Sequence, residues 1–136
     1  MIYLDTNVLL YATLSVVDDE TQKLQAIKVL KDTVKSNSLV LLNLSLLEYS
    51  FVMQKANEDI EKIQKGINFF KTFVLSEKEG FSNYLISKLD NRYAIKNSFD
   101  LYHISFADFV ECKSLITFDK GFKKFDSNFD VYIDIL

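Results

Sequence analysis

Asp5 and Asp119 each follow a short apolar run, Ile2-Tyr3-Leu4 and Leu115-Ile116-Thr117-Phe118. Glu48 lies a few residues beyond a third run, Leu39-Val40-Leu41-Leu42, and Asp100 follows Phe99 at the head of the most apolar helical stretch. Strands covered on both faces of a parallel sheet read in this way, apolar throughout rather than alternating. Ligands of open parallel sheets bind beyond the carboxyl ends of the strands, so the four acids are placed to converge on one edge. Glu48 is flanked in sequence by Leu46, Leu47, Phe51 and Val52, and Asp100 by Phe99 and Leu101. A charge in apolar surroundings is costly unless paired. Arg92, the only arginine, cannot neutralise four carboxylates. A divalent cation can: Mg²⁺ and Mn²⁺ favour oxygen ligands, and Mg²⁺ keeps several waters, so a few carboxylates suffice.

The same residues also fit ordinary structural roles. Asp5, Asp100 and Asp119 suit helix N-caps, and Ser45-Leu46-Leu47-Glu48 suits a capping box. Thr6 and Asn7 either hold a ligand carboxylate or a water in place or make local turn hydrogen bonds. His103, the only histidine, stands one turn after Asp100. It reads as a packed, hydrogen-bonded side chain more readily than as a general base, since metal-activated water needs no imidazole.

The elements that must position these acids alternate along the chain. A fourth strand, Val131-Tyr132-Ile133, lies between Asp130 and Asp134 and has the alternation of a sheet edge. Helical patterns cover Asn7–Ser15, Asp19–Lys35, Ser45–Asn57, Glu58–Phe73, Glu77–Arg92 and Asp100–Cys112. Strands separated by helices predict an α/β layered fold with right-handed crossovers.

The 136 residues suit one domain with one core. The chain has no proline and three glycines, against the many tight turns of an all-β design. The formal net charge of −3 gives no global field for nucleic acid, so such a partner needs a local patch or bound cations. Cys112 is alone, which excludes an internal disulfide and fits a reducing compartment. No run approaches the roughly 20 apolar residues of a membrane span, and the N-terminus lacks a basic signal region. The expectation is a cytoplasmic protein.

Four segments in order resemble the PIN-domain ribonucleases, specifically the VapC-type toxins of prokaryotic toxin–antitoxin pairs. They are Met-Ile-Tyr-Leu-Asp5-Thr6-Asn7, Glu48 in Ser-Leu-Leu-Glu-Tyr-Ser, Asp100-Leu-Tyr-His103-Ile-Ser105-Phe-Ala107, and Leu-Ile-Thr117-Phe-Asp119-Lys-Gly-Phe. Ser105 stands where that family usually has alanine. The resemblance spans nearly the whole chain, taken as a single domain over residues 1–136. It implies a three-layer α/β/α sandwich with a central, mainly parallel sheet and the acids clustered over it. It also implies Mg²⁺- or Mn²⁺-dependent endonucleolytic cleavage of RNA and inhibition by a small VapB-type antitoxin.

On that reading Asp5 and Asp100 are the principal metal ligands. Asp119 completes the site directly or through water, and Glu48 binds a second metal or positions the attacking water. Lys120, Lys123 and Lys124, with Arg92 and Lys96 ahead of Asp100, are candidates to contact the RNA backbone or are simply solvated. Phe122 and Phe125 either stack on bases or belong to the core. Surplus apolar side chains on the middle helices would suit an antitoxin or a second copy of the chain. The alternatives are a non-catalytic α/β binding domain, whose acids serve only as caps, or a PIN-type nuclease of RNA processing without an antitoxin. A haloacid-dehalogenase-type phosphatase would want an acid where Asn7 stands. A nucleotide-binding module would want a glycine-rich loop, and Gly66, Gly80 and Gly121 are isolated.

Overall fold

A computed structural model describes residues 1–89 and 98–136, with Ser98 by its backbone alone. Among these residues four parallel strands form one sheet in the order β2-β1-β3-β4. They are β1 (Ile2–Leu4), β2 (Leu39–Val40), β3 (Ser114–Thr117) and β4 (Tyr132–Ile135). The helices are α1 (Thr6–Thr13), α2 (Glu20–Lys35), α3 (Asn43–Lys55), α4 (Ile60–Phe70), α5 (Phe81–Leu89) and α6 (Ser98–Phe109).

Side chains alternate across the sheet, and this sorts the core into two layers. Tyr3, Val40, Leu115 and Ile133 pack with Phe81 of α5 and with Leu101, Ile104 and Phe106 of α6. Leu4, Leu39 and Ile116 face the other way, against Val8 of α1, Ala26 of α2, Met53 of α3 and Ile63 of α4. Burial of one such aliphatic side chain stabilises the fold by roughly 1.5–3 kcal/mol. The expected three-layer α/β/α arrangement is therefore present, with β2 and β4 as its edges. Phe122 and Phe125 are fully buried, so they belong to the core and are withdrawn from base stacking.

Several boundaries differ from the sequence reading. The β2 ladder stops at Val40, and Leu41 instead bridges Val74 outside the sheet. Helix α5 starts at Phe81, not Glu77, because Gly80 adopts a left-handed backbone with φ of 89° directly ahead of it. Ser45 is not the N-cap of α3. That helix begins at Asn43, and the Ser45 hydroxyl lies 3.2 Å from the Tyr3 hydroxyl. Asp100 sits within the first turn of α6, not at its cap. Asp5 and Asp119 do cap: Asp5 accepts from Thr6 N, and Asp119 accepts from Gly121 N at the head of a 3₁₀ turn (Lys120–Phe125). Asp19 caps α2 through Thr21 N and Gln22 N.

Among the described residues one buried side-chain polar atom lacks a hydrogen-bond partner, the Ser105 hydroxyl on α6. An unsatisfied buried hydroxyl costs about 1–3 kcal/mol, and alanine is the better helix former. Ser105→Ala is expected to raise unfolding stability by about 1 kcal/mol, measured by urea denaturation with an unchanged m-value.

Candidate functional site

The strand order places the site. The chain leaves β1 for β2 on one side and later returns to β3 on the other, so the connections diverge between β1 and β3. Such a divergence opens a crevice at the strands' carboxyl ends. Asp5 directly follows β1, and Asp119 lies two residues past β3. The backbone continues the β1–β3 ladder, with Asp5 N donating to Ile116 O at 3.0 Å.

Thr117 is the hub. Its hydroxyl donates to Asp5 Oδ2 at 2.7 Å and accepts from Asn7 Nδ2 at 3.1 Å and from Asp119 N at 3.0 Å. Asp5 Oδ1 accepts from Thr6 N at 2.8 Å, and Asn7 Oδ1 accepts from Phe118 N at 3.3 Å. Thr6 and Asn7 thus reach beyond their own turn. Thr6 Oγ1 donates to Glu48 Oε1 at 2.8 Å, while Asn7 ties α1 to the end of β3.

Electrostatics brings in Asp100. Burial raises the Asp5 carboxyl above its ordinary range, against lowering by the His103 charge and the Thr117 and Thr6 bonds. Asp100 is raised by burial first, then by the negative charges of Asp5 and Asp119, with Lys124 and His103 opposing. Asp5, Asp100 and Asp119 therefore share one charged neighbourhood. Among the described residues the ion pairs are Lys28–Asp32, Lys62–Glu58 and His103–Glu48, so no lysine pairs with these three acids.

Glu48 is held differently from the sequence reading. Its apolar neighbours Leu47 and Phe51 are two-thirds exposed and do not enclose it. Burial raises its carboxyl, but the His103 bond and charge and the Thr6 bond outweigh this, leaving it below the ordinary range. His103 Nε2 lies 2.6 Å from Glu48 Oε1 and Nδ1 lies 2.5 Å from the Tyr3 hydroxyl. Burial lowers the His103 pKa, but Glu48, Asp5 and Asp100 raise it by more. At 1% exposure His103 is a packed, hydrogen-bonded side chain and not a base reaching solvent.

Lys120 and Lys123 are exposed and line a shallow pocket with Asp126 and Asp134 near β4; Lys124 is half-buried on the side of Asp100. Arg92 and Lys96 lie outside the described residues. Sequence reasoning did not single out Thr117, Tyr3 or Ser45 for the site. The signal for Thr117 was a hydroxyl in an otherwise apolar strand, two residues ahead of Asp119.

Oxygen donors dominate this edge, which suits a hard cation. Among the described residues no three His, Cys, Asp or Glu side chains form a ready cage for one. A cation that keeps most of its waters needs only one or two carboxylates, and the like charges raising Asp100 are what it would relieve.

A family model for the PIN domain matches residues 2–128. The chain belongs to the PIN-domain family. PIN domains are generally nucleases that use divalent metal ions, though which ion is not fixed by membership. No curated protein matches the chain. Among solved structures it is similar to one described as the crystal structure of VapBC2 from Rickettsia felis bound to a DNA fragment from their promoter. The match covers 100% of this chain and 99% of that one at a TM-score of 0.70 and 22% identity, a likeness of fold. Among the described residues no helix is long and apolar enough to cross a membrane.

Thr117→Val keeps the shape and removes the hub hydroxyl. It leaves the buried Asp5 oxygen without its donor, and hydrogen bonds to charged groups are worth about 1.5–3 kcal/mol. The variant is expected to lose about 2 kcal/mol in urea denaturation, and Thr117→Ser to recover most of it.

Proposed function

We propose that this PIN domain is a Mg²⁺- or Mn²⁺-dependent endoribonuclease and the toxin of a VapBC-type toxin–antitoxin pair. The observation carrying this is the sharing of one Thr117 hydroxyl by the Asp5 carboxylate and the Asp119 backbone, with Asp100 close enough for both acids to raise it. Asp5 and Asp100 would hold the cation, and Asp119 would complete the site directly or through water. When bound, the cation supplies Lewis acidity, lowering the pKa of water and offsetting phosphate charge.

The remaining roles belong to the chain. Thr117 and the Thr6 amide fix the two Asp5 oxygens. Asn7 locks Thr117 in the orientation that donates to Asp5. Glu48 orients the attacking water or a second cation. Lys124, on the side of Asp100, contacts the RNA backbone, which positions substrate without reading sequence. Lys120 and Lys123, and by sequence Arg92 and Lys96, extend that contact surface.

The toxin reading is supported by the fold likeness to VapBC2 and by apolar side chains left exposed. Leu10, Leu14, Val16 and Val17 line a pocket of about 290 Å³ beside Asn7, and Leu47 and Phe51 stand out from α3. A VapB-type antitoxin laying apolar residues there would cover that surface. Cys112, buried and unpaired, fits a reducing cytoplasm.

Purified protein is expected to cleave single-stranded RNA with Mn²⁺ or Mg²⁺ and to stop when EDTA is added. Asp5→Asn is expected to lower cleavage at least about 1,000-fold, from lost charge stabilisation of several kcal/mol, with its thermal unfolding midpoint close to that of the unmodified protein. Undiminished cleavage of the same RNA by folded Asp5→Asn would contradict the assignment.

A further inference from the structure

A chain of hydrogen bonds with both ends on α3 stands behind Glu48. It begins on α3 at Ser45, whose hydroxyl lies 3.2 Å from the Tyr3 hydroxyl of β1. The Tyr3 oxygen lies 2.5 Å from His103 Nδ1 on α6. His103 Nε2 in turn lies 2.6 Å from Glu48 Oε1, back on α3 one turn after Ser45. Three elements distant in sequence are thereby tied through one buried path.

Its inner members are enclosed by the core. Tyr3 and Ser45 are fully buried and His103 nearly so. The Tyr3 ring packs against His103 at 5.8 Å between centroids and edge-on to Phe106 at 6.2 Å. Glu48 by contrast is 32% exposed on a long side chain, and fixing such a chain costs rotamer entropy. Both of its bonds, from His103 and from Thr6, fall on Oε1. Among the described residues Oε2 accepts no hydrogen bond, so it is the oxygen left for a water or a cation.

We infer that Tyr3 and His103 are positioning residues, which hold Glu48 by one oxygen so that the other serves the acidic edge. The inference rests on the nuclease reading above. Groups that orient a functional carboxylate from behind are worth about 10–100-fold in activity or affinity when removed.

The test is a double-mutant cycle with a spectroscopic arm. His103→Asn is expected to lower kcat for Mn²⁺-dependent RNA cleavage about 10–100-fold and to leave KM for the RNA unchanged. In a Glu48→Gln background the same change is expected to lower kcat far less, because it acts mainly through Glu48. Tyr3→Phe removes one hydroxyl from an intact core and is expected to follow the same pattern more weakly; it carries the cycle where His103→Asn does not fold. An equal loss of kcat in both backgrounds, or a change in KM alone, would overturn the inference. Because His103 is the only histidine, its imidazole ¹⁵N signals are unambiguous without metal or RNA. Glu48→Gln is expected to shift Nε2 and Tyr3→Phe to shift Nδ1; unmoved signals would also overturn it. Unmodified protein that cleaves no RNA contradicts the nuclease reading instead, and the imidazole signals then decide the hydrogen-bonded chain on their own.

Discussion

The structure turns on negative charge gathered around one buried carboxylate. Asp5 sits at 7% exposure at the end of the central strand β1, and its charge, like that of Asp119, reaches Asp100. A buried carboxylate is tolerated when donors surround it. Thr6 N and the Thr117 hydroxyl supply such donors, one to each oxygen. They satisfy hydrogen bonding, but they cancel neither the burial that chiefly raises Asp100 nor the repulsion that adds to it. On the proposed nuclease reading, a hard cation would relieve that repulsion.

The rest of the fold serves that placement. The order β2-β1-β3-β4 puts β1 beside β3 where their connections diverge, so two acids far apart in sequence emerge side by side. Thr117 and Asn7 weld the ends of those strands together. Helix α6 contributes from one end of the site to the core. Its first turn carries Asp100, its next carries His103 toward Glu48, and Ile104 and Phe106 fill the layer beneath the sheet. The shifts at His103 and Glu48 run in opposite directions, each caused in part by the other, so Glu48 already has a partner. Asp100 is a different kind of acid, raised and without an ion-pair partner among the described residues.

Much of this was legible in the residues. Unbroken apolar runs ending in Asp5 and near Asp119 located the buried strands and the sheet edge where the candidate acids emerge, because strands covered on both faces leave no alternation to confuse the reading. The C-terminal alternation around Asp130 and Asp134 marked β4 as an edge. What escaped was set by tertiary contacts. Leu46, Leu47, Phe51 and Val52 made the surroundings of Glu48 look apolar, yet Leu47 and Phe51 face outward and its real neighbours come from α1 and α6. Ser45 looked like an N-cap but is the third residue of α3; its hydroxyl accepts from Leu42 N at 3.5 Å and also meets Tyr3, a contact across 42 residues that no local pattern announces. The acid at the head of α6 was identifiable from sequence, and it stands inside the first turn of the helix and not at its cap.

Selective line broadening by paramagnetic Mn²⁺ addresses the charge argument most directly. In a ¹⁵N-labelled sample with substoichiometric Mn²⁺, the account predicts that the amides of Asp5, Thr6, Asn7, Asp100, Leu101, Asp119 and Lys120 broaden first and together. Uniform broadening, or broadening centred on Asp108 and Asp130 at the far side of α6, would contradict it.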